Sequence, residues 1–537
     1  MQQNIIKISF VCIIVLLPAC AQLPTDFEAP PSYVIDDTDD TLLGKKFKEV
    51  QKNMQNENKK NSKMYLISDG VDAYVARAAL LASAEKTIDV QYYIWHSDLI
   101  GKLLFNGLIV AADKGVRVRI LLDDMPINSE TESLLYAIDQ HKNIAVRLFN
   151  PFASRGFRTT SYLMNPRRIN RRMHNKSFTV DNQFTIIGGR NIGNEYFSAD
   201  ENSNFEDIDV MAIGPVVNEI GAQFDLYWNS KVVYPVTAFD HNKATQNELE
   251  SHRKKLNEFV QTKENSKYHL DVKDSDMYQS IEKGELPQSK QSLVFDGEVH
   301  VIYDSPLKAL GKSAEEVDYL KSKLEPYVEK IHKSFEIISP YFVPGKNGVD
   351  YLTEMVKKGI KVKVITNSLA STDGLMAQSG YSRRRYDLLE GGVKLYELKT
   401  KIKTQTSKSL RRGEKAKSAL HAKTYIFDRE QVFIGSFNFD QRSSNINSEV
   451  GVVYDVPKMA NLIAQSVFDE SVGDVAYEVK IAHKNIEIND IEVEQGELYW
   501  VEIKNKKKIY YATEPKTNFW RRFGQGFFSL MPIESQL

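Results

Sequence analysis

The sequence predicts an α/β protein built from a pseudo-twofold pair of α/β domains. Three observations lead there. Strand-like and helix-like segments alternate in TIDVQYYIW, KLLFNGLIVAADKG and VRVRILLDD, the texture of a largely parallel sheet covered by helices. The same order returns in KSFEIISPYFV, VDYLTEMVKKG and IKVKVITNS. KGVRVRI and KGIKVKV align with a shift of 359 − 115 = 244, and a polar motif recurs with a shift of 421 − 174 = 247. A nearly constant shift over such a distance marks an internal duplication, and two copies make a pair of domains, not a solenoid.

The chain has 537 residues, 42% of them hydrophobic and 26% charged, which is ordinary for a globular protein. Its net charge of −1 speaks against a dedicated nucleic-acid binder, a class that is usually basic.

In chain order, the first element is MQQNIIKISFVCIIVLLPAC. One lysine, Lys7, precedes a mostly apolar run from Ile8 to Leu17, too short for an ordinary membrane span and suited to a secretory signal. The run ends at Leu17-Pro18-Ala19-Cys20, which resembles the lipobox of bacterial lipoproteins. That resemblance implies a signal peptide over 1–19 and lipidation of Cys20. Because Ala21 follows where an aspartate is absent, it also implies a periplasm-facing lipoprotein of a Gram-negative-type bacterium, at the outer rather than the inner membrane. An uncleaved N-terminal anchor is the alternative. With Cys12 removed, Cys20 remains alone and no disulfide framework forms. Residues 20–62, with PPSYVIDDTDD and MQNENKKNSK, read as a polar tether.

The first domain is expected over 63–237. DAYVARAALLASAEK has helical spacing, with Ala76, Ala79, Leu80 and Ser83 on one face, and Gly115 ends the next helix. Residues 238–296, including NELESHRKKLNEFVQ, read as an exposed helical insertion. The second domain is expected over 297–480, with Gly359 ending a helix, and 481–537 form an extension with short β-like runs, ELYWVEI and KKIYYAT. At its end Trp520, Phe523, Phe527, Phe528 and Leu530 stand beside Arg521 and Arg522. This pattern suits a membrane interface or, equally, packing on the second domain.

The recurring motif is HNKSFTVDNQFTIIGGRN from His174 and HAKTYIFDREQVFIGSFN from His421, both H-x-K-x-x-x-x-D. Three fixed residues arise by chance at roughly 1 in 8,000 starts, so two matches at corresponding places in a repeat form a strong signal. Gly188 and Gly435 follow at one offset, Asn191 and Asn438 at another. In a strand His174 and Lys176 share a face, as do His421 and Lys423. A turn at Asp181-Asn182 or Asp428-Arg429 then brings the asparagine back. Two imidazoles, two ammonium groups and two amides suit a phosphodiester. Asp181 and Asp428 complete the written motif and stay in the candidate set, but their distance along the strand favours turn formation over catalysis. Asp207, eight before Pro215, and Glu449, eight before Pro457, are repeat-equivalent and better placed to orient the histidines, with Asp209 the fallback. His96, His141, His300 and His332 show no ligand spacing.

The doubled motif with its trailing G-[GS]-x-N resembles the phospholipase D superfamily, from about residue 64 onward. Within it, DVQYYIW, SPYFVPG, TNSLASTD, GYSRRRYDLLEGGVKLYEL and PIESQL are similar to bacterial cardiolipin synthases of the C type. The sequence departs from that pattern at Gly189, opposite Ser436, and at Gln378, where a histidine is expected. The resemblance implies two α/β/α sandwiches meeting at one site. One histidine (His174 by preference) forms a phosphatidyl-histidine, and the other, His421, serves as acid and base. Lys176, Lys423, Asn191 and Asn438 would hold the phosphate with help from Ser436. No cofactor is implied, and no metal, because two lysines supply the charge a metal would.

The implied partners are membrane phospholipids, phosphatidylglycerol and phosphatidylethanolamine. Nucleic acid is not expected, and a helper protein is left open. The implied reaction is phosphatidyl transfer that yields cardiolipin. Hydrolysis by a phospholipase D, a nuclease on the same scaffold and a lipid-binding protein with a dead site are the alternatives. Basic runs before each motif suit attraction to anionic headgroups or solvated loops: Arg155, Arg158, Arg167, Arg168, Arg171 and Arg172, then Lys399, Lys401, Lys403, Lys408, Arg411, Arg412, Lys415 and Lys417.

Overall fold

A computed structural model describes residues 22–52, 60–156, 158–239, 244–264, 266–283, 293–401, 417–504, 506–531 and 534–537. The signal segment, Cys20 and the basic residues Lys403, Lys408, Arg411, Arg412 and Lys415 lie outside the described residues.

The first copy folds as strands β1 (Ser62–Ile67), β2 (Thr87–Tyr92), β3 (Arg117–Asp123), β4 (Ile144–Phe149), β5 (Ser177–Val180), β6 (Phe184–Gly188), β7 (Ser203–Glu206), β8 (Asp209–Ile213) and β9 (Val233–Pro235). The second copy contributes β10 (Val294–Tyr303), β11 (Ser334–Ile338), β12 (Lys361–Asn367), β13 (Lys394–Leu398), β14 (Lys417–Leu420), β15 (Thr424–Phe427), β16 (Gln431–Gly435), β17 (Val450–Asp455) and β18 (Ala476–Ile481). Following the ladders, the first sheet runs β9-β4-β3-β2-β5-β6-β8-β1. The second runs β18-β13-β12-β11-β15-β16-β17-β10. The two orders correspond strand for strand, so the duplication read from the sequence is a duplication of topology.

The N-terminal half of β10 pairs with β1 and its C-terminal half with β17. One strand therefore stitches both sheets into a continuous ladder. The core between them mixes residues of both copies, among them Leu66, Ile187 and Val210 with Ile426, Val432 and Val450.

The βαβ helices start and stop where their end residues dictate. Asp69 caps the helix Gly70–Ser83 by accepting from Val71 N and Asp72 N, and Asp98 caps Leu99–Asp113 through Gly101 N. Gly115 and Gly359, at φ +98° and +88°, close the helices Leu99–Asp113 and Gly345–Lys357 in the left-handed region.

Three segments depart from the sequence expectation. Residues 22–52, expected as part of a tether, pack on the first domain. Arg147 donates to Pro30 O (2.7 Å), Arg119 to Ser32 O (2.8 Å) and Arg117 to Tyr33 O (2.7 Å), while Val34 N donates to Asp225 (2.8 Å). Backbone groups carry much of this docking, with Leu43 in the core and Phe27 against Tyr234 (5.1 Å between rings), and composition does not reveal the backbone part. The insertion is helical as expected, over Gln246–Lys263, Lys267–Asp274 and Asp276–Glu282, but it is docked. Leu249, Leu256, Tyr268 and Met277 join the first-domain core through a narrow apolar stripe. Finally, the extension belongs to the second domain. After a small hairpin, β19 (Ile486–Ile488) with β20 (Ile491–Val493), strands β21 (Leu498–Lys504) and β22 (Lys507–Tyr511) add to the edge at β18.

Candidate active site

Each motif occupies a hairpin and the residues that lead into it. Strands β5 and β6 turn at Asp181-Asn182, β15 and β16 at Asp428-Arg429, and all four turn residues have positive φ between 48° and 60°. With Gln183 N bonded to Val180 O and Glu430 N to Phe427 O, both are type I′ turns, whose twist matches the strands. The motif aspartates serve these turns, away from the histidines. Asp181 accepts from the backbone N–H groups of Glu85, Lys86 and Thr87. Asp428 accepts from those of His332, Lys333 and Ser334. Each clamps the entry to the next strand of its sheet, so as members of the candidate site Asp181 and Asp428 are corrected to structural residues.

The histidines lie just ahead of the hairpins, and each is held by the other copy. His174 N donates to Ser448 O (2.8 Å), and Met173 bridges Ser448. Strand β14, which ends one residue before His421, pairs in parallel with β7, and His421 N donates to Glu206 O (2.8 Å). The residues that follow Ser448 and Glu206 are Glu449 and Asp207. Backbone pairing therefore delivers each acid to the histidine of the opposite copy: His174 Nδ1 meets Glu449 Oε2 at 3.0 Å, and His421 Nδ1 meets Asp207 Oδ2 at 2.6 Å. Both carboxylates are fully buried. Each fixes Nδ1 as the protonated nitrogen and leaves Nε2 of its histidine to act. The fallback Asp209 instead pairs with Arg77 (2.9 Å) within the first domain.

The electrostatics are those of a desolvated anion site. Burial pushes the His421 imidazole down to about 3, with Lys423 adding to the effect, and lowers His174 against the pull of Glu449. Both imidazoles are neutral when the site is empty. Burial also lowers Lys176 to about 7 and Lys423 to about 8. Lys176 Nζ donates to His174 O (2.5 Å) and Lys423 Nζ to His421 O. Pairing with His421 holds Asp207 down at about 2 despite its burial, and pairing with His174 lowers Glu449.

The remaining candidates divide. Ser436, expected to help hold phosphate, donates to Glu449 Oε2 (2.5 Å) and accepts from Val450 N (3.0 Å), so it braces the acid. Ser443 does the same at Glu449 Oε1 (2.9 Å), and Asp304 holds the Glu449 backbone N–H (2.9 Å). In the first copy a hydroxyl has no room: a Cβ on Gly189 would lie 2.2 Å from Asp207 Oδ1. A shorter acid against glycine thus matches a longer acid against serine. Asn191 accepts from Ile94 N (3.2 Å) and donates to Tyr196 Oη (2.9 Å). Asn438 is buried, and its Oδ1 has no partner among the described residues. Gln378 is also buried, and its Nε2 likewise has none among them.

Sequence reading missed the aromatic walls. Tyr93 lies 5.2 Å from the His174 ring, Tyr196 5.0 Å and Phe205 5.3 Å from that of His421. For Tyr93 the available signal was an aromatic pair repeated within DVQYYIW and SPYFVPG; Tyr196 and Phe205 lie outside both stretches. The first basic run proves mostly structural. Arg155 pairs with Asp124 and Glu132 (both 2.5 Å), Arg158 with Glu132 (3.3 Å), and Arg172, fully buried, with Asp123 (2.7 Å). Lys399 of the second run pairs with Glu502 (3.3 Å). His96, Asp98 and Glu195 bring their ligand atoms within 4.8 Å of one another, but Asp98 is already committed to Gly101 N and Asn194 N.

Residues 78–228 and 327–470 match a family model described as cardiolipin synthase, PLD-like domain. Cardiolipin synthase C of Escherichia coli K12 is 39% identical over 473 residues, covering 88% of this chain and 95% of that protein. An uncharacterised protein of Helicobacter pylori 26695 is 31% identical over 478 residues, 89% and 90% of the two chains. Among solved structures, the fold is similar to that of the phosphatidylserine synthase of Haemophilus influenzae Rd KW20. The TM-score is 0.52 at 14% identity, over 81% of this chain and 91% of that one.

Proposed function

Since the chain belongs to the cardiolipin synthase family with PLD-like domains, we propose that it is a phosphatidyltransferase that makes cardiolipin. It joins phosphatidylglycerol to a phosphatidyl group taken from a second phospholipid, phosphatidylglycerol or phosphatidylethanolamine. The observation that carries this reading is the pair of reciprocal histidine–carboxylate contacts around two buried lysines.

Lys176 and Lys423 receive the phosphodiester, and binding the anion restores their protons. Nε2 of His174 attacks phosphorus and forms a P–N bond as the P–O bond to the donor alcohol breaks. Nε2 of His421, which takes up a proton from solvent as the anion binds, gives that proton to the leaving oxygen. The terminal hydroxyl of phosphatidylglycerol then gives its proton to His421 and attacks phosphorus, and His174 leaves. Glu449 stabilises the positive charge that His174 gains in the first step, and Asp207 does so for His421. The aromatic walls and the burial of both histidines exclude water, the competing acceptor that would yield phosphatidic acid.

Cells lacking cardiolipin test the assignment. Expression of the chain should restore cardiolipin, and neither His174→Ala nor His421→Ala should do so. Phosphatidic acid accumulating without cardiolipin would overturn transfer in favour of hydrolysis. We place the reaction at the membrane through Cys20 of a lipoprotein facing the periplasm, on the strength of residues 1–20 alone. Labelled palmitate should enter the wild-type chain and not Cys20→Ala.

A further inference from the structure

The helix Phe519–Ser529 is amphipathic the wrong way round for a soluble protein. At about 100° per residue, Phe519, Trp520, Phe523, Phe527 and Leu530 fall on one arc of the helix. That arc faces outward: Trp520 is 75% exposed, Leu530 82% and Phe519 63%. The polar side faces the protein. Gln525 is buried, Arg521 donates to the backbone carbonyls of Leu369 and Thr372, and Gly524 lies against Leu375. The rings of Phe519, Trp520 and Phe523 pack on one another at 5.5–6.3 Å, with no covering element among the described residues. A contiguous apolar patch of this kind on a surface marks a docking face.

We propose that this face inserts into the headgroup region of a phospholipid bilayer and seats the mouth of the active site on it. Charge selects the occupant. From Lys516 to Met531 the chain carries Lys516, Arg521 and Arg522 and no acidic residue. Arg383, exposed, reaches Met531 O at the far end of the helix. Tryptophan and phenylalanine flanked by Lys516, Arg522 and Arg383, with Arg521 turned inward, match an anionic bilayer interface.

Position supports the same conclusion. The carbonyls that Arg521 grips belong to the segment after β12. That segment also holds Asp373, which accepts from Tyr341 Oη (2.9 Å) and lies near enough to Lys423 to oppose, in part, the lowering of its ammonium by burial. At its root, Asn367 exchanges hydrogen bonds with the backbone of Leu420, the neighbour of His421. The helix therefore stands at the end of the sheet where the second motif opens, and a bilayer held there presents lipid to it. This last step rests on the phosphatidyltransferase reading, whereas the docking face does not.

Trp520 is its own reporter, because Trp95, Trp228 and Trp500 are buried. The full chain is mixed with vesicles of phosphatidylglycerol and phosphatidylethanolamine, with and without lipids brominated along the acyl chains. Trp520 emission should shift to the blue and be quenched by the brominated lipids, and Phe523→Glu/Phe527→Glu should abolish both effects. The same variant should lose at least about tenfold of transfer on vesicles while keeping wild-type transfer on short-chain lipids dispersed below their aggregation limit. Unquenched Trp520 in the wild type overturns the docking face. A concentration-dependent dimer that the variant dissolves overturns it in favour of a second copy as occupant. Quenching without any transfer by the wild type leaves the face standing and removes the catalytic reading instead.

Discussion

Replacing Glu449 with glutamine keeps the shape of the site and removes one charge, which isolates what the carboxylate does. In the native site Glu449 accepts from His174 Nδ1 at 3.0 Å and from the hydroxyls of Ser436 (2.5 Å) and Ser443 (2.9 Å), with no exposure to solvent. Both hydroxyls can reorient around an amide, so folding should survive, as a thermal melt within a few degrees of wild type would confirm. In the proposed mechanism the imidazolium that forms on His174 during attack then loses its counter-charge. Breaking a buried ion pair costs about 3–5 kcal/mol, which corresponds to a loss of about 10²–10⁴ in kcat. KM should change little, because in the proposed mechanism the lysines and not Glu449 meet the phosphate.

The assay uses a phosphatidyl ester of p-nitrophenol, whose leaving oxygen needs no proton. With rapid mixing, Glu449→Gln should slow the burst of p-nitrophenol by that factor. Asp207→Asn should keep the burst and slow the later transfer to an alcohol, because Asp207 serves the histidine that moves protons. A kcat for Glu449→Gln within threefold of wild type would refute the counter-charge argument. A burst lost in Asp207→Asn but kept in Glu449→Gln would exchange the roles of the two histidines.

Gly189→Ser should abolish activity and lower the melting temperature, since its Cβ would sit 2.2 Å from the Asp207 carboxylate; an active Gly189→Ser enzyme would contradict that geometry. Asp181→Ala strands three backbone donors and should cost about 2–4 kcal/mol in chemical denaturation, with kcat per folded molecule unchanged. The buried lysines give a pH signature. Burial holds Lys176 at about 7 and Lys423 at about 8 in the folded chain, against 10.5 for an ordinary lysine, so between those limits the unfolded chain holds more protons. Stability of the ligand-free protein should therefore rise as pH goes from about 7 towards 10.5 through this pair. Affinity for inorganic phosphate, which needs the protonated ammonium groups, should fall over the same range; calorimetry and phosphate titration read the two opposite slopes.

The repeat made much of this legible. Equal spacing gave the paired domains and the equivalence of Asp207 with Glu449, and strand chemistry gave the turns at Asp181 and Asp428. What spacing could not give is which acid meets which histidine. Equivalence under a duplication is silent on whether contacts stay within a copy or cross, and the crossing depends on β14 lying beside β7 and on Ser448 lying beside His174. Ser436 was misread for a related reason: a hydroxyl in a phosphate motif resembles a ligand until the glutamate it supports is seen. Arg155 and Arg172 sit in a run that looks solvated, and only tertiary structure supplies Asp124 and Asp123 as their partners. Residues 22–52 lacked a clear apolar signature because their attachment joins backbone carbonyls to scattered side chains, Leu43 in the core and Phe27 against Tyr234 among them.

Because each acid crosses over, a chain with one copy would own a histidine but lack the carboxylate that turns it. Such a chain could assemble the site only as a symmetric dimer, at an activity that falls on dilution. Joining the copies covalently replaces that dissociation constant with a fixed effective concentration. It also frees the halves from symmetry, since a change in one is no longer imposed on both. Asp207 against Gly189 and Glu449 against Ser436 are what such freedom leaves behind: two solutions to one steric problem, inherited together because neither half works with its own parts.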